Sequence, residues 1–475
     1  MGAGASNVET PQPSEIGHDE DKISALPDDV LIGILERLDL RDAVCAGSLS
    51  RRWRHLPHQL SCLDLDVHGF HGTTTLKTMD AFTGALCRLL LLVSPPDECK
   101  CDCKSRRAVK TLDLCFHLSA PHLSSIGRAV EDTVSRGQTE RLEFKVIPPS
   151  SDPTTAEQLG KQFMSFSRAC PIAFRWLTRL SLTSLEFRDS DLTSLMGACD
   201  KLKHLSLRSC RLPGVLKIDV PNSIITELEL IGFSCSQIEL VSVPKLTQLV
   251  CKSWWRSMNP PLRFGYVPEL REVTLSCHAA KWQAPFTLSG CFSMNARNLS
   301  KLHLNFGSHM IWIQPEHPKQ LTAIFCNLTD VKLWYIFPEC DLSWTLFILD
   351  AAPALQMFLL SRARHSCIKT TENSAEKTNV VWEPSKDLKH LNLKFLWMIG
   401  FEEEDKVANY IRLVMERAAG LKRVMMCSNN CKACKCNAIN LESLRRSEVD
   451  EASRRRIKEQ LTHGSSSPVE ILICG

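Results

Sequence analysis

Apolar positions along most of this chain follow L-x-x-L-x-L, with substitutions, and the pattern returns at intervals. Its central residue falls at Leu112, Leu142, Leu180, Leu205, Leu228, Leu249, Val273, Leu302, Val331, Phe358, Leu391 and Val424. An earlier copy is written by Leu60, Leu63 and Leu65. From 112 to 424 the mean spacing is about 28 residues, within the range of short solenoid repeats. The best-spaced stretch runs 180, 205, 228, 249, 273, while the gap from 142 to 180 leaves room for an insertion. Alternate residues of a strand share one face, so each copy predicts a short strand with its leucines inward, followed by a return segment. No single unit can bury its own apolar row, so neighbours must stack. Eleven strand spacings give an arc of roughly 50 Å, a surface suited to a protein and too large for a small-molecule pocket.

Residues flanking each central leucine point to the open face. They include Arg179, Ser181 and Thr183, then Glu227 and Glu229, then Glu272 and Thr274. His390, Asn392 and Lys394 belong to the copy centred on Leu391. The face is mixed, with basic groups toward both ends and glutamates mid-array. Candidate client contacts on or beside it are His204, Arg208, Lys252, Trp254, Trp255, His303, Lys332 and Trp334, because aromatic and cationic anchors dominate interfaces.

Two flanking segments change the period to 3.6. In the segment from Leu26-Pro27 to residue 38, Val30, Leu31, Ile34, Leu35 and Leu38 make one apolar helical face. Pro27 suits the first turn, and Asp28 and Asp29 suit the positive end of the helix dipole. Asp39 or Ser48 can cap two further short helices, over 40–46 and 49–56. Three short helices in about 40 residues are marginal alone and call for a partner surface. Near the other end, Leu388 to Leu393 reads as a strand and 402–419 as a helix, with Val407, Tyr410, Ile411, Val414, Met415 and Ala418 on one face and Gly420 as its C-cap. A strand centred on Val424, a basic helix over 454–461 and a strand over 469–473 complete this unit.

The residues Leu26-Pro27-x-Asp29-Val30-Leu31-x-x-Ile34-Leu35-x-x-Leu38, Leu40-Arg41-Asp42-Ala43-Val44 and Leu49-Ser50-Arg51-Arg52-Trp53-Arg54 resemble a plant F-box. The repeats resemble leucine-rich repeats in length and pattern. The segment Asn409-Tyr410-Ile411-x-Leu413-Val414-Met415-Glu416-Arg417-Ala418, with Val469-Glu470-Ile471, resembles the FBD domain that follows such repeats in plant F-box proteins. These resemblances imply an α/β chain: a tail over 1–20, an F-box over 21–60, repeats over 61–387 and an FBD-like unit over 388–475. They imply that Leu26, Pro27, Val30, Leu31, Ile34, Leu35, Leu38, Leu49 and Trp53 supply adaptor contacts or the helical core behind them. The implied partners are the Skp adaptor, through it a cullin, and a protein client. Cys45-Ala46-Gly47 and Pro57 depart from the usual F-box pattern.

Composition narrows the alternatives. The chain of 475 residues has 44% hydrophobic and 23% charged residues, which excludes wholesale disorder. Lys+Arg 57 against Asp+Glu 53 lacks the basic excess of a nucleic-acid binder. The first twenty residues contain no apolar core for export, so the 22 cysteines are expected to stay reduced, in cytoplasm or nucleus. No segment reads as a membrane span. Met1 to Ser6 fits a myristoylation pattern, but one acyl chain without a basic second signal gives no stable anchoring. Cys427, Cys431, Cys434 and Cys436 are a cramped zinc candidate, and Cys99, Cys101 and Cys103 lack a local fourth ligand. No HExxH, GxSxG or GxxxxGK[ST] is present, so no catalytic residue and no cofactor are expected. The leading expectation is a non-catalytic receptor subunit of a Skp–cullin–F-box ubiquitin ligase. The alternatives are a repeat scaffold or inhibitor acting without a ligase, and a zinc-dependent nucleic-acid binder.

Overall fold

The computed structural model describes residues 26–50, 52–91, 109–149, 154–254, 261–277, 285–292, 296–362, 380, 382–383, 388–401, 403–427, 451–462 and 469–474. Two helices, α1 (Asp28–Leu35) and α2 (Leu40–Ala46), and a 3₁₀ segment (Trp53–Gln59) precede the first strand. The strands are then β1 (Cys62–Asp66), β2 (Thr111–His117), β3 (Arg141–Ile147), β4 (Arg179–Thr183), β5 (His204–Arg208), β6 (Val215–Asp219), β7 (Glu227–Ile231), β8 (Gln237–Ser242) and β9 (Gln248–Trp254). They continue as β10 (Leu262–Tyr266), β11 (Glu272–Cys277), β12 (Lys301–Asn305), β13 (Asp330–Ile336), β14 (Met357–Arg362), β15 (Phe395–Ile399), β16 (Arg423–Cys427) and β17 (Glu470–Cys474). Among the described residues, all but β6, β8 and β10 form one fourteen-stranded parallel sheet, in chain order from β1 to β17.

The leucine pattern sets the register. Leu180, Leu205, Leu228, Leu249, Val273, Leu302, Val331 and Phe358 stand opposite one another across successive strands. Between β3 and β4 the ladder slips by two, so Phe144, not Leu142, faces Leu180. An even slip keeps every side chain on its own face, so the core row is unbroken.

The return segments follow repeat length. Early units are long enough for helices α3 (Thr75–Leu91), α4 (Ala120–Val134), α5 (Ala156–Ala169), α6 (Pro171–Trp176) and α7 (Asp191–Ala198). These meet the sheet over an aromatic cluster of Phe116, Phe144, Phe163, Phe166 and Phe174, with linked ring centroids 5.2–6.3 Å apart. The middle units are shorter: 23 residues (205 to 228), 21 (228 to 249) and 24 (249 to 273). There the return is an extended segment, and β6, β8 and β10 pair in parallel as a second sheet behind the first.

Several sequence expectations are corrected. The 388–393 strand is absent: Leu391 is 71% exposed, and the strand is β15, with Leu396 opposite Phe358 and Val424. Leu393-x-x-Leu396-x-Met398 spells the same motif five residues later, and its aromatic-rich Phe-Leu-Trp-Met-Ile stretch suits a strand better. His390 is therefore no open-face residue. It is buried, with Nε2 2.9 Å from the Ala352 carbonyl oxygen and Nδ1 accepting from the Leu393 N–H at 3.0 Å. The third N-terminal helix is a 3₁₀ segment starting at Trp53, because Pro57 removes an N–H within it. Asp39 caps α2 by accepting from the Asp42 N–H, whereas the Ser48 hydroxyl donates back to Cys45 O. The helix expected over 402–419 is Asp405–Arg417, with Ala418 at its C-cap. Gly420 instead lets the backbone approach Leu391, since a Cβ there would lie 1.9 Å from the Leu391 carbonyl oxygen. Strands β15 to β17 extend the same ladder, so the FBD-like segment continues the repeat sheet.

Candidate functional site: an apolar helical stripe and an open sheet face

The first site begins at α1. Pro27 precedes the helix, and Asp28 and Asp29 occupy its first turn. Arg52 holds this end by donating to Asp28 Oδ1 from Nε (3.0 Å) and Nη2 (2.7 Å), and from Nη2 to the Leu26 carbonyl. Leu31, Leu35, Ala43, Trp53, Leu56 and Leu60 turn inward and join the core that continues into Leu63 and Leu65 of β1. Glu36 accepts from the Ser61 N–H and hydroxyl, tying the helical module to the first strand.

The expected single apolar face of α1 divides in two. Leu31 and Leu35 are fully buried, but Val30, Ile34 and Leu38 are 43%, 38% and 44% exposed, with Val44 at 45% and Leu49 at 75%. Five of the thirteen exposed large hydrophobics among the described residues thus fall within twenty positions. Leu26 is half-buried against the core and Pro27 is exposed. Scattered exposed apolar residues need no explanation, but a clustered stripe marks a surface built to be covered.

The second site is the open face of the large sheet. Of the expected client residues, His204, Arg208, Lys252, His303, Lys332 and Trp334 are on it, in separate groups. His204 is buried with Nδ1 2.6 Å from Glu227 Oε2. Glu229 accepts from Ser206 Oγ (3.0 Å) and Arg208 Nη2 (3.1 Å). His303 lies 3.9 Å from Glu272 and 3.7 Å from Asp330, which also pairs with Lys332 at 3.6 Å. β5 and β12 are four strands apart, about 19 Å, so these groups form no single pocket. Lys252 is exposed on β9, and Trp334 is half-buried beside Tyr335. The Trp254 side chain, Trp255 and the N-terminal myristoylation pattern lie outside the described residues. Cys427 ends β16 half-buried, and Cys431, Cys434 and Cys436, like Cys99, Cys101 and Cys103, also lie outside them.

Two features of this face escaped sequence reasoning. Its β14–β17 end carries an apolar row, Leu359, Trp397, Met425 and Leu472, beside a second row in which Met357 and Phe395 (37% exposed) are followed by the ion pair Arg423–Glu470 at 2.7 Å. The misplaced strand at Leu391 hid Phe395 and Trp397. Its β1–β3 end is acidic. Asp64, Asp113 and Glu143 stand in one row across the strands, with Arg141 2.7 Å from Glu143 and 3.5 Å from Asp113. Burial, then the charge of Glu143, pushes the Asp113 carboxyl up to about 6. Beside it the Cys115 thiol is pushed up to about 12, first by burial and then by the Asp66 charge, which leaves it no nucleophile.

Comparison with known proteins fits this anatomy. The F-box domain model matches residues 23–64. The model described as "At1g61320/AtMIF1, LRR domain" matches residues 159–461, well over half of the chain. This chain belongs to the F-box/leucine-rich-repeat proteins. Within that family it is similar to an FBD-associated F-box protein of Arabidopsis thaliana, 24% identical over 407 residues, covering 82% of this chain and 83% of the relative. An F-box/FBD/LRR-repeat protein of the same plant is 23% identical over 430 residues, covering 85% and 88%. A second of that description is 37% identical over 62 residues, covering 13% and 14%. An F-box beside leucine-rich repeats is a protein-interaction architecture, and F-box domains generally bind Skp-type adaptors. No helix among the described residues is long and apolar enough to cross a membrane.

Proposed function

We propose that this F-box/leucine-rich-repeat protein is the substrate-recognition subunit of a Skp–cullin–F-box ubiquitin ligase. The observation that carries the reading is the exposed stripe Val30, Ile34 and Leu38, with Val44 and Leu49, on a module whose inward leucines are already shared with the repeats. A module that needed these residues for its own core would not turn them out. On this reading Leu26, Pro27, Val30, Ile34, Leu38 and Leu49 contact the adaptor, while Leu31, Leu35 and Trp53 hold the module together. The units over 21–60, 61–387 and 388–475 then divide the labour: docking, client binding, and extension of the client surface.

The protein performs no bond chemistry. It holds a client beside the ligase, in cytoplasm or nucleus, and acts by raising effective concentration. Clients engage the open face, where the apolar residues of β14–β17 offer buried anchors and the charged groups around Glu229 and Asp330 set orientation. Co-expression with the Skp adaptor tests this: a one-to-one complex should co-purify, and Val30→Ser/Ile34→Ser should reduce its recovery without unfolding the chain. A folded wild-type protein that captures no adaptor would overturn the ligase reading and leave a repeat scaffold.

A further inference from the structure

Where the first repeat strand meets the second, three side chains of different chemistry converge. Asp66 is the last residue of β1, His68 lies in the 3₁₀ turn Val67–Gly69 that follows, and Cys115 stands opposite Asp66 on β2. One potential ligand atom from each lies within 4.8 Å of the other two. We propose that Asp66, His68 and Cys115 form a binding site for a divalent transition metal of the zinc class.

The donor set argues for this class. Carboxylate, imidazole and thiol together match the ligands zinc takes, and three protein ligands leave a fourth position for water. Calcium and magnesium prefer oxygen alone. Ligand atoms around a tetrahedral zinc lie about 3.3–3.8 Å apart, given bond lengths of about 2.0–2.3 Å. Asp66 Oδ1 and His68 Nδ1 now touch each other at 2.6 Å, so a metal would replace that contact and open it by about 0.7 Å, and the two side chains, 48% and 64% exposed, have room for it.

A second imidazole supports the site independently. His117, two residues beyond Cys115 on the same face of β2, is buried, and its ring centroid lies 6.3 Å from that of His68. Its Nδ1 is 2.9 Å from the Pro148 carbonyl oxygen. That contact puts the hydrogen on Nδ1 and leaves Nε2 with its lone pair, the way ligating histidines are usually held.

Binding exchanges the Cys115 S–H bond for a sulfur–metal bond and releases one proton to solvent. The metal would join the turn after β1 to β2, at the end of the array against which the F-box packs. It would thereby brace the junction between the adaptor-binding module and the repeats, whether or not a ligase is assembled.

Cobalt(II) titration of the full-length protein tests the proposal, since thiolate-bound cobalt has a charge-transfer band that zinc(II) displaces. Other thiols that bind cobalt contribute equally to all variants, so differences report this site. Cys115→Ser should remove one equivalent of the band, and His68→Ala should shift that equivalent to at least roughly tenfold weaker binding. His68 is exposed, so its variant keeps the fold, which circular dichroism checks. A His68→Ala titration superimposable on wild type overturns the site, even if Cys115→Ser loses signal through unfolding.

Discussion

The division of α1 into two apolar faces makes a prediction in which stability and binding separate. Leu31 is fully buried, so Leu31→Ala should cost about 2–5 kcal/mol of folding stability. Val30, Ile34 and Leu38 keep about two-fifths of their surface in water, as the exposures above give. Fully burying such a side chain is worth about 1.5–3 kcal/mol, so covering the remainder of all three supplies about 2–4 kcal/mol to adaptor binding. The triple variant Val30→Ser/Ile34→Ser/Leu38→Ser should therefore weaken binding by between about thirtyfold and several hundredfold. The costs of docking itself fall on both proteins and cancel in the ratio. Urea denaturation gives the stability of each variant, and isothermal titration with purified Skp adaptor gives the affinity. Binding by the triple variant within about threefold of wild type would refute the assignment of this stripe. A Leu31→Ala protein as stable as wild type would refute the packing beneath it.

Three further outcomes follow from the repeats. Gly400 has φ +74°, and a Cβ there would lie 1.9 Å from the Arg362 carbonyl oxygen, so Gly400→Ala should lose about 2 kcal/mol or more in denaturant unfolding; a loss below about 0.5 kcal/mol would contradict the geometry. Burial lowers the His390 pKa from 6.5, and Nδ1 already accepts a hydrogen bond, so the folded state resists protonation. Its stability is present above 6.5 and is lost as pH falls below that value, where the unfolded chain takes up the proton first; thermal melts from pH 7 to 5.5 should show a steeper fall for wild type than for His390→Gln. Phe144→Ala, emptying the aromatic cluster, should cost about 3–5 kcal/mol, while Phe395→Ala on the open face should cost less than about 1 kcal/mol, both read by urea denaturation.

Most of the strands were legible because each repeat writes its inward residues at a fixed spacing, and stacking requires those residues to align. Legibility failed where the motif was written twice. Leu388–Leu393 and Leu393–Met398 both satisfy the pattern, and pairing of Leu396 with Phe358 and Val424 decides for the second. The same ambiguity concealed Phe395 and Trp397 on the open face. Phe395, Leu396, Trp397, Met398 and Ile399 are all apolar, so no alternation marks which residues face outward. On α1, periodicity located the apolar side but could not divide Leu31 and Leu35 from Val30 and Ile34. That division depends on where α2 and the 3₁₀ segment pack.

Sequence distance explains why Asp66, His68 and Cys115 were invisible as a group. Asp66 and Cys115 become neighbours only through the β1–β2 register, and no local spacing connects them. That register also has a functional consequence. Leu56 and Leu60 of the helical module share one core with Leu63 and Leu65 of β1, whose strand partner is β2. The adaptor-facing stripe is therefore carried on a module seated on the repeat sheet itself. A substitution that loosens β1, such as Leu63→Ala, should be felt at α1 as well as in the array. The converse also follows: an adaptor that covers Val30, Ile34 and Leu38 stabilises α1, and through Leu31 and Leu35 it stabilises the first repeats. Hydrogen exchange should then show added protection in β1 and β2 when the adaptor binds, although neither strand belongs to the exposed stripe.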